Sequence, residues 1–143
     1  MELSKKPLAR DLVYLSVDVN GLKRANDTLG HVAGDEIIVA TAQCLSSVFA
    51  ACGKVYRIGG DEFAAILHAD AEQLSSLQEA FTEAVCHWKG KLVDSLTVSS
   101  GYVTMDDVDD TATINTIGNM ADQRMYQVKS HYYISNGIDR RVV

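Results

Sequence analysis

The sequence predicts an α+β domain with a ferredoxin-like plan, in which a mostly antiparallel sheet is flanked by helices. Short β-rich apolar runs alternate with longer segments whose apolar residues recur at helical spacing. Two of the β-rich runs flank Gly59-Gly60, which is typical of a β-hairpin and so of antiparallel pairing. No internal repeat or linker divides the chain, so residues 1–143 are expected to form a single domain.

The N-terminal half predicts one strand followed by two helices. Leu12–Val19, LVYLSVDV, is nearly all apolar and rich in β-formers, as in a buried strand, and Asn20-Gly21 ends it. Leu22–Leu29 is a short helix closed by Gly30. Asp35–Phe49 is a stronger helix, because apolar residues form a stripe along it and its two leading carboxylates suit a positive helix start.

The pattern of the C-terminal half predicts a two-stranded hairpin, a helix, one further strand and a last helix. Helices are expected on one face of the sheet, and the hairpin at its centre. The helix after the hairpin carries apolar residues on one face, and the last helix has Ile117, Ala121, Met125 and Val128 in line. The predicted ranges are Lys54–Ile58 and Phe63–His68 for the hairpin, Ala71–Trp88, Leu96–Val103 and Ile114–Lys129, with MDDVDDT as a polar loop.

Composition excludes several classes of function. A formal net charge of −6 argues against a nucleic-acid-binding surface, which needs a basic stripe. No apolar run approaches a membrane span and the start lacks the apolar core of a signal peptide, so no direct membrane contact is expected. The 3 cysteines are scattered without a CxxC pair, which favours a reducing, cytoplasmic compartment.

Two carboxylates are placed to share a cation. Asp18 ends the first strand and Asp61 follows the hairpin turn, so the two converge if those strands are neighbours. Converging carboxylates repel each other unless a cation lies between them, and Mg²⁺ prefers a few carboxylates, water and substrate phosphates. Gly59-Gly60 would let a bulky anion approach the backbone, and Lys23 can reach a terminal phosphate. The alternative is that Asp61-Glu62 is merely a solvated hairpin tip.

Three motifs in the expected order resemble the GGDEF family of diguanylate cyclase domains. They are RIGGDEFAAIL, the upstream stretch SVDVNGLKRANDTLGHVAGDEII and the later MADQRMYQVK. The similarity extends from about Leu12 to Lys129. It implies a fold related to adenylyl cyclase and polymerase palm domains.

The resemblance also implies an activity. Two GTP molecules would condense into cyclic di-GMP with Mg²⁺ or Mn²⁺, two ions per GTP site, in a homodimer controlled by an attached sensory domain. It assigns the site residues as follows: Asp18, Asp61 and the Val19 carbonyl to metal; Glu62 beside the metals, where it helps deprotonate the ribose 3′-hydroxyl; Asn26 and Asp35 to guanine; Lys23 and Lys129 to phosphates; Gly59 and Gly60 to the substrate approach.

Three departures from the family are visible, and two of them, Tyr133 and the unmatched start, keep a second hypothesis open, a weak or inactive GTP-binding regulatory domain. Tyr133 replaces an arginine that contacts phosphate in many members, unless Arg124, Arg140 or Arg141 substitutes. The RxxD product site is missing because its ends are Ala50 and Gly53. Nothing in Met1–Asp11 matches the segment that usually precedes the first strand.

Overall fold

The computed structural model describes residues 8–135 and consists of a four-stranded antiparallel sheet with helices on both faces. All strand pairings are antiparallel, in the order β2-β3-β1-β4, so the hairpin lies at one edge rather than at the centre. The elements are β1 Leu12–Val19, α1 Leu22–Leu29, α2 His31–Phe49, β2 Gly53–Arg57, β3 Glu62–His68, α3 Ala71–His87, β4 Val98–Thr104, a 3₁₀ turn Met105–Asp107 and α4 Ile114–Ser135.

Side chains of β1 alternate between two apolar cores. Odd-numbered residues such as Leu15 and Val17 pack with α2 and α3 in the larger core. Leu12 and Tyr14 point to the opposite face and pack in a smaller core that includes Ile117 and Ala121 of α4. The expectation that the helices share one face is therefore wrong, because an apolar stripe on a helix does not specify which face of the sheet it covers.

Glycines set the path around α1. Gly21 precedes the helix with φ 72°, and Gly30 follows it with φ 90°, both in the left-handed region that favours glycine. Because Gly30 is the sole residue between α1 and α2, the second helix begins at His31 instead of Asp35. Asp35 and Glu36 consequently lie in its second turn, and the carboxylate of Glu36 accepts backbone N–H groups of Lys91, Leu92 and Val93 at 2.9–3.0 Å.

α2 has the length and apolar composition of a membrane-spanning helix, which corrects the sequence-based expectation that no such stretch exists. Within the fold, however, 44% of that stretch is buried. The helix contacts the sheet and α3, and its buried apolar residues are Ala33, Ile37, Ala40, Cys44, Leu45 and Phe49. The apolar composition of α2 is thus explained by its place in the core.

α4 is longer than predicted, and the residues that it buries against the sheet differ in part from the predicted ones. It continues past Lys129 to Ser135, and Tyr133 on the added turn is buried at 2% exposure. Ile117, Ala121 and Met125 are buried as predicted, whereas Val128 is 47% exposed. Residues four apart lie on the same face of a helix, so the face that packs on the sheet continues from Met125 to Lys129 and Tyr133. Val128 lies to one side of that face.

Candidate active site

The paired ends of β1 and β3 bring the predicted carboxylates together. Asp18 lies directly opposite Glu62 in the antiparallel register. The N–H of Val19 donates to the carbonyl oxygen of Asp61 at 2.9 Å, which fixes the loop that carries Asp61 beside the end of β1. The predicted convergence of Asp18 and Asp61 is therefore present in the structure.

The ammonium of Lys129 lies among the three groups that the resemblance assigns to metal. Its Nζ is 2.9 Å from Asp18 Oδ1 and 3.7 Å from Asp61 Oδ2. It also donates to the carbonyl oxygen of Val19 at 3.5 Å. The Lys129 and Asp18 side chains are 12% and 13% exposed, while that of Asp61 is 44% exposed. One cation thus balances a mostly buried and a half-exposed carboxylate.

Burial dominates the electrostatics of these acids. It raises the pKa of Asp18 to about 6, against the opposing effect of the Lys129 ammonium, and nearby Asp61 raises it further. The pKa of Glu62 is also raised, first by burial and then by Asp122 and Asp18. Asp18 Oδ1 has no hydrogen-bond donor at a suitable angle among the described residues. Its negative charge is therefore neutralised by the ion pair with the Lys129 ammonium. Loss of the Lys129 charge would leave these acids in mutual repulsion.

The raised pKa of Glu62 gives the first testable prediction. Below the ordinary glutamate value near 4.5, Glu62 is protonated whether the chain is folded or not. As the pH rises through the higher folded pKa, ionisation disfavours the folded state, and the stability present at low pH is lost. Glu62→Gln avoids that loss. We expect the variant to unfold at a higher temperature than the wild type at pH 7, and at a similar temperature at pH 4.

The size of this gain is limited because Glu62 is only half-buried. Solvent screening keeps it below about 1 kcal/mol, or a few degrees in melting temperature. Thermal unfolding followed by circular dichroism at pH 4, 5.5 and 7 measures it. Glu79→Gln, at an exposed position of α3, is the matched control and should show no such trend. An equal gain at pH 4 and pH 7 would show that repulsion is not its cause.

Asp122 extends this acidic group on the α4 side. Ser16, buried on β1, donates its hydroxyl to Asp122 Oδ1 at 2.5 Å. Asp122 is also the second cause of the raised pKa of Glu62. Sequence reasoning missed Asp122 as a neighbour of the site. The one signal available was its place in MADQRMYQVK, two turns before Lys129 on the same helix.

The predicted base-reading residues lie where α1 meets α2. Asn26 is half-buried on α1, and its Oδ1 is a buried acceptor with no donor among the described residues. Asp35 is exposed on α2 and lines a cavity of about 490 Å³ together with Glu36 and Trp88. Lys23 is exposed on the first turn of α1. One end of the Asn26 carboxamide is thus packed into the interior, and its position is set by packing and not by a hydrogen bond from the described residues.

The hairpin turn is braced by an arginine that sequence reasoning did not single out. Arg57 donates its Nε to the carbonyl oxygen of Gly59 at 3.1 Å and its Nη2 to that of Gly60 at 2.8 Å. A Cβ added at either glycine would meet no atom within 4 Å. The two glycines therefore leave the space beside the turn open, and the side chain of Arg57 holds its carbonyl groups.

Tyr133 occupies the position of the missing arginine and makes its own contacts. Its hydroxyl accepts the N–H of Gly21 at 3.1 Å, which joins α4 to the loop between β1 and α1. Its ring lies 5.9 Å from the Lys129 ammonium, in cation–π range. Arg124 does not take the arginine's place, because its Nη1 bonds the Tyr102 carbonyl and the Asp107 carboxylate. The other proposed substitutes, Arg140 and Arg141, lie outside the described residues.

The oxygen ligands at this site suit a hard divalent cation. Asp18, Asp61 and the carbonyl group of Val19 supply these oxygens. All three groups have an oxygen within 3.7 Å of the Lys129 ammonium, so a single cation can lie near all of them. Over residues 8–135, no group of three or more His, Cys, Asp or Glu side chains could hold a metal by itself. A cation here would need further oxygens, such as those of water or a phosphorylated ligand.

Comparison with known proteins settles the family. Over residues 2–132 the chain matches the family described as diguanylate cyclase, GGDEF domain. The chain belongs to the GGDEF family. The resemblance drawn from the three motifs is thereby confirmed.

Curated relatives of this GGDEF domain include two proteins from Escherichia coli K12. The probable diguanylate cyclase DgcI is 34% identical over 117 residues, which is 80% of this chain and 24% of that protein. The diguanylate cyclase DgcN is 32% identical over 122 residues, which is 80% of this chain and 29% of that protein. The chain thus spans less than a third of the length of these relatives.

Solved structures of GGDEF proteins confirm the α+β fold. Diguanylate cyclase SiaD of Pseudomonas aeruginosa, in complex with its activator SiaC, aligns with a TM-score of 0.75 at 25% identity, covering 85% of this chain and 47% of that chain. The GGDEF domain of DgcB from Caulobacter crescentus, in complex with c-di-GMP, aligns at 0.72 and 26% identity, covering 90% of this chain and 75% of that chain.

Proposed function

We propose that this GGDEF domain condenses two GTP molecules into cyclic di-GMP and releases two pyrophosphates. The observation that carries the proposal is the convergence of Asp18, Asp61 and the Val19 carbonyl on one cationic position. Family membership and relatives named as diguanylate cyclases support it. The polarity of the site fits a polyphosphate that binds together with a divalent cation.

Each site residue has a role in this reaction. Asp18, Asp61 and the Val19 carbonyl would hold Mg²⁺ or Mn²⁺. Such cations supply Lewis-acid chemistry, by lowering the pKa of a bound hydroxyl and neutralising phosphate charge. Glu62, opposite Asp18, would accept the proton of the ribose 3′-hydroxyl, and its raised pKa makes it a stronger base than an ordinary glutamate.

The remaining groups orient the substrate. Lys129 and exposed Lys23 would bind phosphate oxygens, and Asn26 and Asp35 would accept hydrogen bonds from the guanine edge. Gly59 and Gly60 leave open space beside the turn for the substrate. Because one domain binds one GTP and the product joins two, a pair of domains must face each other across a twofold axis.

The direct test is incubation of the purified domain with GTP and Mg²⁺, followed by chromatographic and mass analysis of the nucleotides. Cyclic di-GMP and pyrophosphate are the expected products, with pyrophosphate formed at twice the molar amount. Unchanged GTP at high protein concentration, with GTP binding intact, would instead support the second function below.

A second candidate is a GTP-binding regulatory domain with little or no turnover. The engagement of the Gly21 N–H by the Tyr133 hydroxyl favours it. A backbone N–H at the start of a helix suits a phosphate, and here that group already has a partner. The two functions are distinguished by whether bound GTP is converted.

Replacing Lys129 tests the electrostatic core of the site without an assay of turnover. Lys129→Met leaves two carboxylates without their ammonium, so we expect the free energy of unfolding to fall by about 2 kcal/mol at pH 7.5. Millimolar Mg²⁺ should then raise the melting temperature of the variant more than that of the wild type, because the cation takes over the role of the lysine.

The matched control is Lys54→Met, at an exposed position on edge strand β2, which should change neither stability nor the response to Mg²⁺. Urea unfolding and thermal melts with and without Mg²⁺ supply both quantities. A Lys129→Met protein that is as stable as the wild type and indifferent to Mg²⁺ would remove the support for a shared cation position.

A further inference from the structure

Gly34 occupies an unusual place for a glycine, in the first turns of helix α2. Glycine is a poor helix former, and nothing in its backbone angles demands it, since Gly21 and Gly30 are the described glycines with positive φ. Gly34 is also buried. A reason for the missing side chain must therefore be sought in what lies next to it.

That neighbour is Asn26 of α1. A Cβ added to Gly34 would collide with Asn26 Oδ1 and lie 2.7 Å from Asn26 Cγ and 3.1 Å from Asn26 Nδ2. The three nearest atoms all belong to that one carboxamide, so the space left by Gly34 is filled by Asn26 alone at this range. Asn26 Oδ1 is buried there and has no donor among the described residues, so the close fit against Gly34 holds the carboxamide beside the backbone that leads into Asp35.

We infer that Gly34 is a positioning residue for base recognition: by lacking a Cβ it lets the Asn26 carboxamide lie against α2 beside Asp35. The inference rests on the proposed function, in which Asn26 and Asp35 contact guanine. Gly34 does not touch the ligand in this role. It determines where the carboxamide of Asn26 lies.

The geometry separates this role from a structural one. The atoms that an alanine would meet are the end of a side chain, which can rotate away, and not the backbone. Alanine is also the better helix former. Gly34→Ala is therefore expected to fold with an unchanged or raised melting temperature, yet to displace Asn26. A site built to hydrogen-bond the base loses affinity when one of its polar groups is moved.

A double-mutant cycle tests the inference. Calorimetric titration with a non-hydrolysable GTP analogue and Mg²⁺ compares the wild type, Gly34→Ala, Asn26→Ala and the double variant. We expect each single variant to bind about tenfold more weakly. The double variant should bind no more weakly than Asn26→Ala, because Gly34 acts through Asn26. Discrimination against the ATP analogue should fall in all three.

Gly118→Ala is the control for a helical glycine, because the Cβ would meet the ring of Tyr14 at 3.3 Å and not Asn26. It should bind the GTP analogue like the wild type. Wild-type affinity in Gly34→Ala, or additive losses in the double variant, would overturn the inference. If Gly34→Ala does not fold, the double variant decides, since removing the carboxamide must restore folding. Continued misfolding there would show that something other than Asn26 needs the space.

The outcome for the proposed function can be read separately. A wild-type protein that binds no GTP analogue would count against that function. The melting temperatures of the four proteins would still report whether Gly34 and Asn26 are coupled. Coupling in stability without an effect on nucleotide binding would overturn the positioning role and keep the packing contact.

Discussion

Replacing Asp61 by alanine is expected to lower the rate of cyclic di-GMP formation from GTP by at least about 10³-fold. Asp61 supplies one of the two carboxylates that lie around the Lys129 ammonium, at 3.7 Å from Nζ. Without it, Asp18 and the carbonyl of Val19 would remain as the protein's ligands for the cation. The charge of the triphosphate would then be poorly balanced when the bond to phosphorus breaks.

The same change should leave the fold intact. The side chain of Asp61 is 44% exposed and belongs to the turn before β3. The contact that fixes this turn joins the Val19 N–H to the main-chain carbonyl of Asp61, which alanine retains. The free energy of unfolding is expected to change by less than about 1 kcal/mol.

The measurement is the initial rate of product formation, with a melting curve for each protein. Asp94→Ala, at an exposed loop position, is the control for loss of a carboxylate and should keep wild-type activity. Near-normal synthesis by Asp61→Ala would refute its assignment to metal. A large drop in melting temperature would show that Asp61 supports the fold.

The neighbouring strands explain why this part of the site was predictable from sequence. Asp18 ends an apolar run and Asp61 follows a glycine turn, and both positions are visible in the sequence. An antiparallel pairing of β1 with β3 then brings them to one end, and the register puts Asp18 opposite Glu62. Local patterns were sufficient because the geometry follows from the period of a strand and the place of a turn.

Partners supplied from distant parts of the chain were not predictable. Lys129 was assigned to phosphate, but in the structure its ammonium pairs with Asp18, more than a hundred residues away. Asp122 was overlooked, and its contact with Ser16 depends on the packing of α4 against β1. The spacing of residues along a helix does not predict which charged groups of the sheet its side chains will contact.

At Tyr133 the sequence predicted the loss of a phosphate-binding arginine, whereas the structure shows a tyrosine that contacts the backbone. The sequence indicated a missing arginine, and no helix signal was assigned beyond Lys129. The added turn of α4 buries the ring and places its hydroxyl on the Gly21 N–H. Tyrosine combines an apolar body with a polar tip, so it can extend a buried row and still bond a backbone group.

Joining two copies of the domain is expected to raise activity per chain, by up to about 10²-fold at micromolar protein. The proposed reaction would need two GTP-loaded domains face to face. Each chain carries a formal net charge of −6, and three of its carboxylates, Asp61, Glu62 and Asp122, lie close together at the paired ends of β1 and β3. Two such surfaces repel each other, so the free domain should pair weakly.

Exposed apolar side chains of the described residues are spread over several elements, so they do not form a single surface that would oppose that repulsion. They lie on α1 and α2, on the hairpin, in the loop between α3 and β4 and on α4; they are Leu29, Val32, Val39, Tyr56, Ile58, Leu92, Tyr126, Val128 and Ile134. A parallel dimeric coiled coil fused before Met1 replaces weak association by an effective concentration near the millimolar range. The gain should vanish as the unfused domain approaches that concentration.

The comparison is the rate of cyclic di-GMP formation per chain, measured from nanomolar to high micromolar protein for fused and unfused domains. A flexible Gly-Ser linker between the coiled coil and the domain lets the two domains rotate freely, so the coiled coil does not fix the orientation in which they meet. The control fusion carries proline at two core positions of the coiled coil, which prevents pairing while adding the same mass. For the unfused domain the rate per chain should rise in proportion to concentration, and for the fused domain it should be constant. Equal rates per chain at nanomolar protein would mean either a strong natural dimer or a reaction completed within one chain, and sedimentation of the unfused protein would tell which of the two holds.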